Sequence, residues 1–228
     1  MNSTAMWARL GNPAPRQESG VYTPCQWPVL RSIALPAAAE ALHVRPDAFL
    51  ERRSRRAFAP IELDQLSTLL WHTLHCQRTG ESPLGFALQQ RPIPSAGAIH
   101  PVHMLLQVPG EDGAWARYNP LTHALDVIGP TADVLRGLCT EADQVVSAQS
   151  GSLLLFVAEP AMTAAKYENA DSLVWRDAGV IQGTLAIAAE ALSLNYCLLG
   201  ITGDPWVGRL SEQCQLVGVG LAALGARP

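Results

Sequence analysis

Two stretches carry residue types that packing alone does not explain. The first is Arg52-Arg53-Ser54-Arg55-Arg56. Four of the chain's 16 Lys and Arg fall within these five positions, in a chain whose formal net charge is −4. A guanidinium presents a planar fork of donors that matches phosphate oxygens two at a time, and Ser54 adds a short hydroxyl donor. Such a run needs an anion, a cluster of carboxylates or bulk water, and most charge runs simply face water. The second stretch is Arg91-Pro-Ile-Pro-Ser-Ala-Gly-Ala-Ile-His-Pro101. Its small residues let the backbone come close to a flat or anionic ligand, although an ordinary proline-rich connection has the same composition.

Other chemistries are thinly represented. His72 and His75 stand three apart, a spacing that serves surface or capping roles far more often than a metal, and no metal is expected. Cys25, Cys76, Cys139, Cys197 and Cys214 are odd in number and include no CxxC pair. They read as reduced thiols of a cytoplasmic protein. A pI of about 5.8 argues against nucleic acid as a main partner. The first twenty residues lack the basic-then-apolar layout of a signal, and no apolar run approaches the length of a membrane span. No GxxxxGK loop occurs, and Gly179, Gly218 and Gly220 do not form a dinucleotide fingerprint.

The 228 residues predict one domain, residues 47–228, preceded by an extended, proline-rich arm over 1–46 with a short helix at 36–42. Apolar residues make up 48% of the chain and charged ones only 16%, so a subunit interface is the simplest cover for the surplus apolar surface. Asp47 is the expected N-cap of a helix over 48–53 that delivers the arginines. Leu63, Leu66, Leu70 and Leu74 form the stripe of a second helix. Residues 80–90 read as loop, 102–108 as a buried strand, and 115–128 as a hairpin turning at Asn119-Pro120. A short amphipathic helix over 130–139 precedes a strand at 152–158 that is apolar on both faces. Polar residues from Lys166 to Asp171 lead into a long, greasy central helix over 178–194. Strands at 197–201 and 216–224 close the chain. This order gives an α+β fold, helices around one sheet.

Four stretches, in order, resemble the nitroreductase-like flavoprotein superfamily, and more narrowly the dehydrogenases that oxidise azolines in ribosomal peptide (RiPP) biosynthesis of the microcin and streptolysin type. They are Arg52–Phe58 with the leucine-rich helix after it, Pro94–Pro101 running into a strand, Lys166-Tyr167 ahead of Arg176-Asp177-Ala178-Gly179, and Leu199-Gly200-Ile201. The resemblance implies a mostly antiparallel sheet flanked by helices, an intertwined homodimer, and FMN at the subunit interface. Arg52, Arg53, Ser54 and Arg56 would hold the phosphate and ribityl chain. Pro94, Ser95, Ala96 and Gly97 would approach the flavin from the other subunit, and Leu199 and Gly200 would lie by its reactive edge. A cofactor with one phosphate needs one anion clamp and one small-residue shelf, which agrees with the two stretches read first.

The resemblance also implies a reaction. Oxidising a thiazoline or oxazoline to the azole removes an acidic Cα proton and a hydride from the neighbouring carbon, the hydride passing to flavin N5. Tyr167 is the candidate base, with Lys166 assisting it or orienting the substrate. The expected partners are an azoline-containing peptide and the cyclodehydratase that makes the ring. Two other readings stay open: an NAD(P)H-dependent nitro- or quinone reductase, and a non-catalytic scaffold of a peptide-modifying complex. Ala170 stands where the family often has Arg, and His100 where it often has an aromatic residue. Arg227 is the candidate replacement for the further basic residues that related reductases carry after the last strand.

Overall fold

The computed structural model describes residues 11–38, 41–129, 131–147 and 151–228. The strands in chain order are β1 (Ala14–Pro15), β2 (Val29–Ala34), β3 (Arg78–Gly80), β4 (Leu88–Gln90), β5 (Val102–Gln107), β6 (Trp115–Asn119), β7 (Ala124–Ile128), β8 (Ser152–Ala158), β9 (Tyr167–Glu168), β10 (Leu194–Leu199) and β11 (Val217–Ala226). The helices are α1 (Pro46–Glu51), α2 (Leu63–Leu74), α3 (Thr131–Val145), α4 (Pro160–Ala164) and α5 (Asp171–Ala191). Seven strands form the central sheet in the order β10-β11-β8-β5-β6-β7-β2, and every pairing is antiparallel. The α+β architecture expected from the element order is the one observed.

The middle strands are apolar on both sides because both sides are covered. On β8, Leu154, Phe156 and Ala158 pack with the leucines of α2 and the inner face of α5. Their neighbours Leu153, Leu155 and Val157 point the other way, onto Leu135 and Leu138 of α3. Period-two alternation therefore serves two cores from one strand. Helix α2 begins with a capping box between Glu62 and Gln65, and buries Leu66, Leu69, Leu70 and Leu74.

Several expectations need correction. Arg45, not Asp47, holds the N-cap position of α1, with no side-chain cap. Pro46 takes the first helical position, where its fixed φ and missing N–H cost nothing, and Asp47 sits in the first turn. The helix stops at Glu51, so the arginines follow it rather than ride on it. Within 80–90, Leu88–Gln90 pairs with Arg78–Gly80. Helix α3 runs on to Val145, and Pro130 of the predicted helix lies outside the described residues. Ala39 and Glu40 of the helix predicted at 36–42 do too, and the described residues flanking them are not helical. Helix α5 starts seven residues before Ala178 and ends by Leu192, where Ser193 at φ +58° turns the chain. Val29–Ala34, read as part of an irregular arm, is the edge strand against β7.

Candidate active site

Helix α5 organises the residues that could do chemistry. Near its N-terminal end Asp177 is buried and faces the Pro94–Pro101 turn. Its carboxylate accepts from the Ser95 hydroxyl at 2.6 Å and from the Ala96 N–H at 3.3 Å. Ser95 Oγ in turn accepts from the His100 N–H at 2.9 Å. Burial pushes the Asp177 carboxyl up, and the Ser95, Ala96 and Arg176 interactions only partly offset it, so it lies above its ordinary range. Burial, reinforced by the Arg91 charge, pushes the His100 ring down to about 3, which keeps it neutral. This network fixes a tight turn in which Gly97, Ala98 and His100 all have positive φ.

Lys166 and Tyr167 meet that turn. A Cβ on Gly97 would lie 2.9 Å from both Lys166 Nζ and the Tyr167 hydroxyl oxygen. Only glycine leaves room for the pair there, and its φ of +65° is one that L side chains rarely adopt. The ammonium also stands 5.6 Å from the Tyr167 ring centroid. Both side chains are half-buried. A phenol and an ammonium held together beside a small-residue turn can exchange or stabilise a proton on a bound molecule.

The pair is positioned from behind by residues 14–25. Strand β1 pairs with β9, setting Pro15 opposite Tyr167. The Arg16 N–H donates to the Lys166 carbonyl at 2.9 Å, and the Gly20 N–H to the Ala165 carbonyl at 2.8 Å.

The arginine run divides its charges. Arg55 reaches the Glu190 carboxylate at 3.1 Å and Arg227 reaches it at 2.6 Å. Burial raises the Glu190 carboxyl, but the two guanidiniums outweigh it and hold the group below its ordinary range. Arg53 donates to the carbonyls of Leu50 and Arg52. The side chains of Arg52, Ser54 and Arg56 make no hydrogen bond or ion pair among the described residues, so two guanidiniums and a hydroxyl are available to an anion. The run is thus partly answered by a carboxylate and partly open, and Arg227, the candidate replacement, is committed to Glu190. The segment is tied to the sheet by the Arg55 N–H on the Tyr196 carbonyl, Asn195 on the Ala57 carbonyl, and a bridge between Ala59 and Ala226.

Leu199 is half-buried and Gly200 exposed at the end of β10. The turn after them is held by the Gly220 N–H on the Thr202 carbonyl, beside a bulge in β11. Gln182 of α5 donates to the Val219 carbonyl at 3.0 Å. Gln182 lies five positions after Asp177, about 7.5 Å along the helix. Helix α5 therefore connects the Pro94–Gly97 turn to the Leu199–Gly200 turn. No hydrogen bond or ion pair among the described residues joins the arginine segment to Pro94–Gly97.

Asp177 and Glu190 were missed as site-building residues. Their shared sequence signal is a lone acid inside or beside an apolar run, which calls for a buried partner. Among the described residues no group of three His, Cys, Asp or Glu is placed to hold a metal ion, and no helix is long and apolar enough to cross a membrane.

Comparison with known proteins identifies the fold. A candidate nitroreductase from Ralstonia eutropha JMP134 shares the fold with a TM-score of 0.59 at 20% identity, over 95% of this chain and 99% of that one. The E. coli microcin synthetase McbBCD complex, solved with truncated pro-MccB17 bound, contains a chain matching at 0.57 and 15% identity, over 87% of this chain and 79% of that one. A candidate nitroreductase from Desulfovibrio desulfuricans, solved in complex with FMN, matches at 0.50 and 17% identity, over 79% and 86%. No curated protein matches the chain. The nitroreductase family profile matches residues 50–216, well over half the chain, and the chain belongs to the nitroreductase family.

Proposed function

We propose that this chain is an FMN-dependent dehydrogenase that oxidises thiazoline or oxazoline rings of a peptide to the aromatic azoles. The observation that carries the reading is the contact of Lys166 Nζ and the Tyr167 hydroxyl with Gly97. It joins a proton-handling pair to the turn where a flat cofactor would lie. The available residues fit FMN: Arg52 and Arg56 are free for a phosphate, with Arg53 and Ser54 beside them, and Pro94, Ser95, Ala96 and Gly97 offer a thin shelf. Leu199 and Gly200 border the remaining edge. FMN bound there would supply the two-electron acceptor for the hydride that leaves the ring carbon next to Cα. Tyr167 removes the acidic Cα proton, and Lys166 assists it or orients the substrate carbonyl. Asp177 holds the shelf in register throughout.

We infer a homodimer in which the arginine segment of one protomer and the Pro94–Gly97 turn of its partner share one cofactor. Supporting this, Phe49 and Leu50 beside the arginines are 63% and 78% exposed, and Leu198 beside Leu199 is 42% exposed. Apolar side chains so placed gain from burial against a second copy. Residues 47–228 carry the cofactor site in this reading, and a cyclodehydratase supplies the azoline. The test is the purified protein's visible spectrum, its sedimentation, and turnover of a thiazoline-containing peptide with dioxygen as final acceptor. Tyr167→Phe should stay yellow, dimeric and folded while turnover is lost. A colourless protein with no affinity for added FMN refutes the proposal, and rapid bleaching by NADH without peptide oxidation assigns the fold to nitro- or quinone reduction.

A further inference from the structure

Glu159 is fully buried, yet no part of the proposed chemistry uses it. It follows β8 and immediately precedes α4, the short helix that leads to Lys166. One carboxylate oxygen accepts from the Tyr22 hydroxyl at 2.7 Å and the Cys25 N–H at 2.6 Å. The other meets His103 Nε2 at 2.9 Å. Burial alone would push this carboxyl up, but the His103, Tyr22 and Cys25 hydrogen bonds prevail and hold it below its ordinary range. Burial pushes the His103 ring down. The pair is therefore a carboxylate receiving a hydrogen bond from a neutral ring, and two of its three donors belong to the N-terminal segment.

That segment is the one behind the Lys166–Tyr167 pair. Between Arg16 and Cys25 it bonds the backbone carbonyls of Lys166 and Ala165 and ends at Glu159. The Tyr22 N–H adds a bond to the Leu84 carbonyl at 2.8 Å. Arg16 Nε donates to the Ala164 carbonyl at 2.6 Å. A two-residue strand pair such as β1–β9 is too short to hold itself. Its order must come from the anchors on either side, and Glu159 is the buried one.

We propose that Glu159 is a positioning residue: it fastens residues 14–25 as a strap whose backbone sets Lys166 and Tyr167 against Gly97. This rests on the reading that Lys166 and Tyr167 act in the reaction. The fastening itself is read without turnover, so the two ideas fail separately. The full-length protein is compared with Glu159→Ala, Glu159→Gln and Tyr22→Phe by tryptic cleavage after Arg16, amide exchange across 164–168, flavin content and steady-state rates on a thiazoline peptide. Tyr22→Phe keeps the Glu159–His103 contact and removes only the strap's hydroxyl, so it stays informative if Glu159→Ala does not fold.

A hydrogen bond to a charged group contributes about 1.5–3 kcal/mol, so losing one should open the strap roughly 10- to 100-fold more often. The expected result is faster cleavage and exchange in Tyr22→Phe and Glu159→Ala, with kcat lowered at unchanged flavin content and unchanged KM. Glu159→Gln, which keeps an acceptor for Tyr22 and Cys25, should recover most of the rate. Cleavage and exchange at native rates in Tyr22→Phe would overturn the fastening. An opened strap with native kcat would overturn the positioning role. Native kcat in Tyr167→Phe, with the strap behaving as expected, would instead sink the reading on which the proposal rests.

Discussion

Replacing Gly97 with alanine isolates the contact on which the proposed chemistry depends. The new methyl carbon would stand 2.9 Å from Lys166 Nζ and 2.9 Å from the Tyr167 hydroxyl oxygen. Carbon-to-polar contacts closer than about 3.4 Å are uncomfortable, so one or both groups must retreat by roughly 0.5 Å. Lys166 can swing away cheaply at its flexible end; Tyr167 is paired to β1 through its backbone and has less freedom. The backbone at φ +65° adds on the order of 1–2 kcal/mol for an L residue. Such a loss lowers Tm by roughly 2–8 °C for a chain of this size, which leaves the fold intact. Misplacing a reacting group by 1 Å costs about 100-fold in rate, so half that displacement predicts a fall of roughly 10-fold or more. Flavin absorbance, thermal melting and turnover of a thiazoline peptide are measured together. Native turnover in a folded, yellow Gly97→Ala protein would refute the reasoning. A folded but colourless one would show that the Gly97 face touches the cofactor instead of the pair.

Three further outcomes are expected. Arg52→Ala and Arg56→Ala should each weaken FMN retention by about 1–3 kcal/mol, measured by fluorescence titration of the apoprotein, and native affinity in both would remove the phosphate role. Asp177→Ala frees the Ser95 hydroxyl and Ala96 N–H, and should lower both stability, by about 1.5–3 kcal/mol, and flavin occupancy; a melt and spectrum matching native would contradict its role in the turn. Glu190 titrates below its ordinary range when folded. Its stabilisation is therefore present above the unfolded carboxylate pKa of about 4.3 and is lost as pH falls through the lower folded value. The difference in Tm between the native protein and Glu190→Gln should be full at neutral pH and close in acid; a pH-independent difference would show that the ionised carboxylate is not what stabilises.

Much of the fold was legible because the strongest signals were periodic. The leucines of α2 and the two-sided run of β8 identify their elements without help from tertiary context. Asn119-Pro120 marks its hairpin for the same reason. The edges were harder. Val29–Ala34 carries Arg31 and Ser32 among apolar residues and is mostly exposed, so its only reason to be a strand is β7 beside it. The site shows the same division. Glycine and small residues at 94–97 announce a close approach, but what approaches is decided by folding, and the Lys166–Tyr167 contact is invisible in a chain that separates them from Gly97 by about seventy positions. The arginine run announced charge in need of partners, but not how that charge is divided. Nothing local says that Arg55 faces an acid 135 positions away while Arg52 and Arg56 face none.

The double grip of Arg55 and Arg227 on Glu190, together with the Ala59–Ala226 bridge, has a practical side for anyone handling this protein. A purification handle or fluorophore joined after Pro228 would hang two residues from the bridge that steadies the arginine segment, and would tug on that segment. The exposed Gly80 at the end of β3, where an added side chain meets nothing within 4 Å, offers a quieter attachment point.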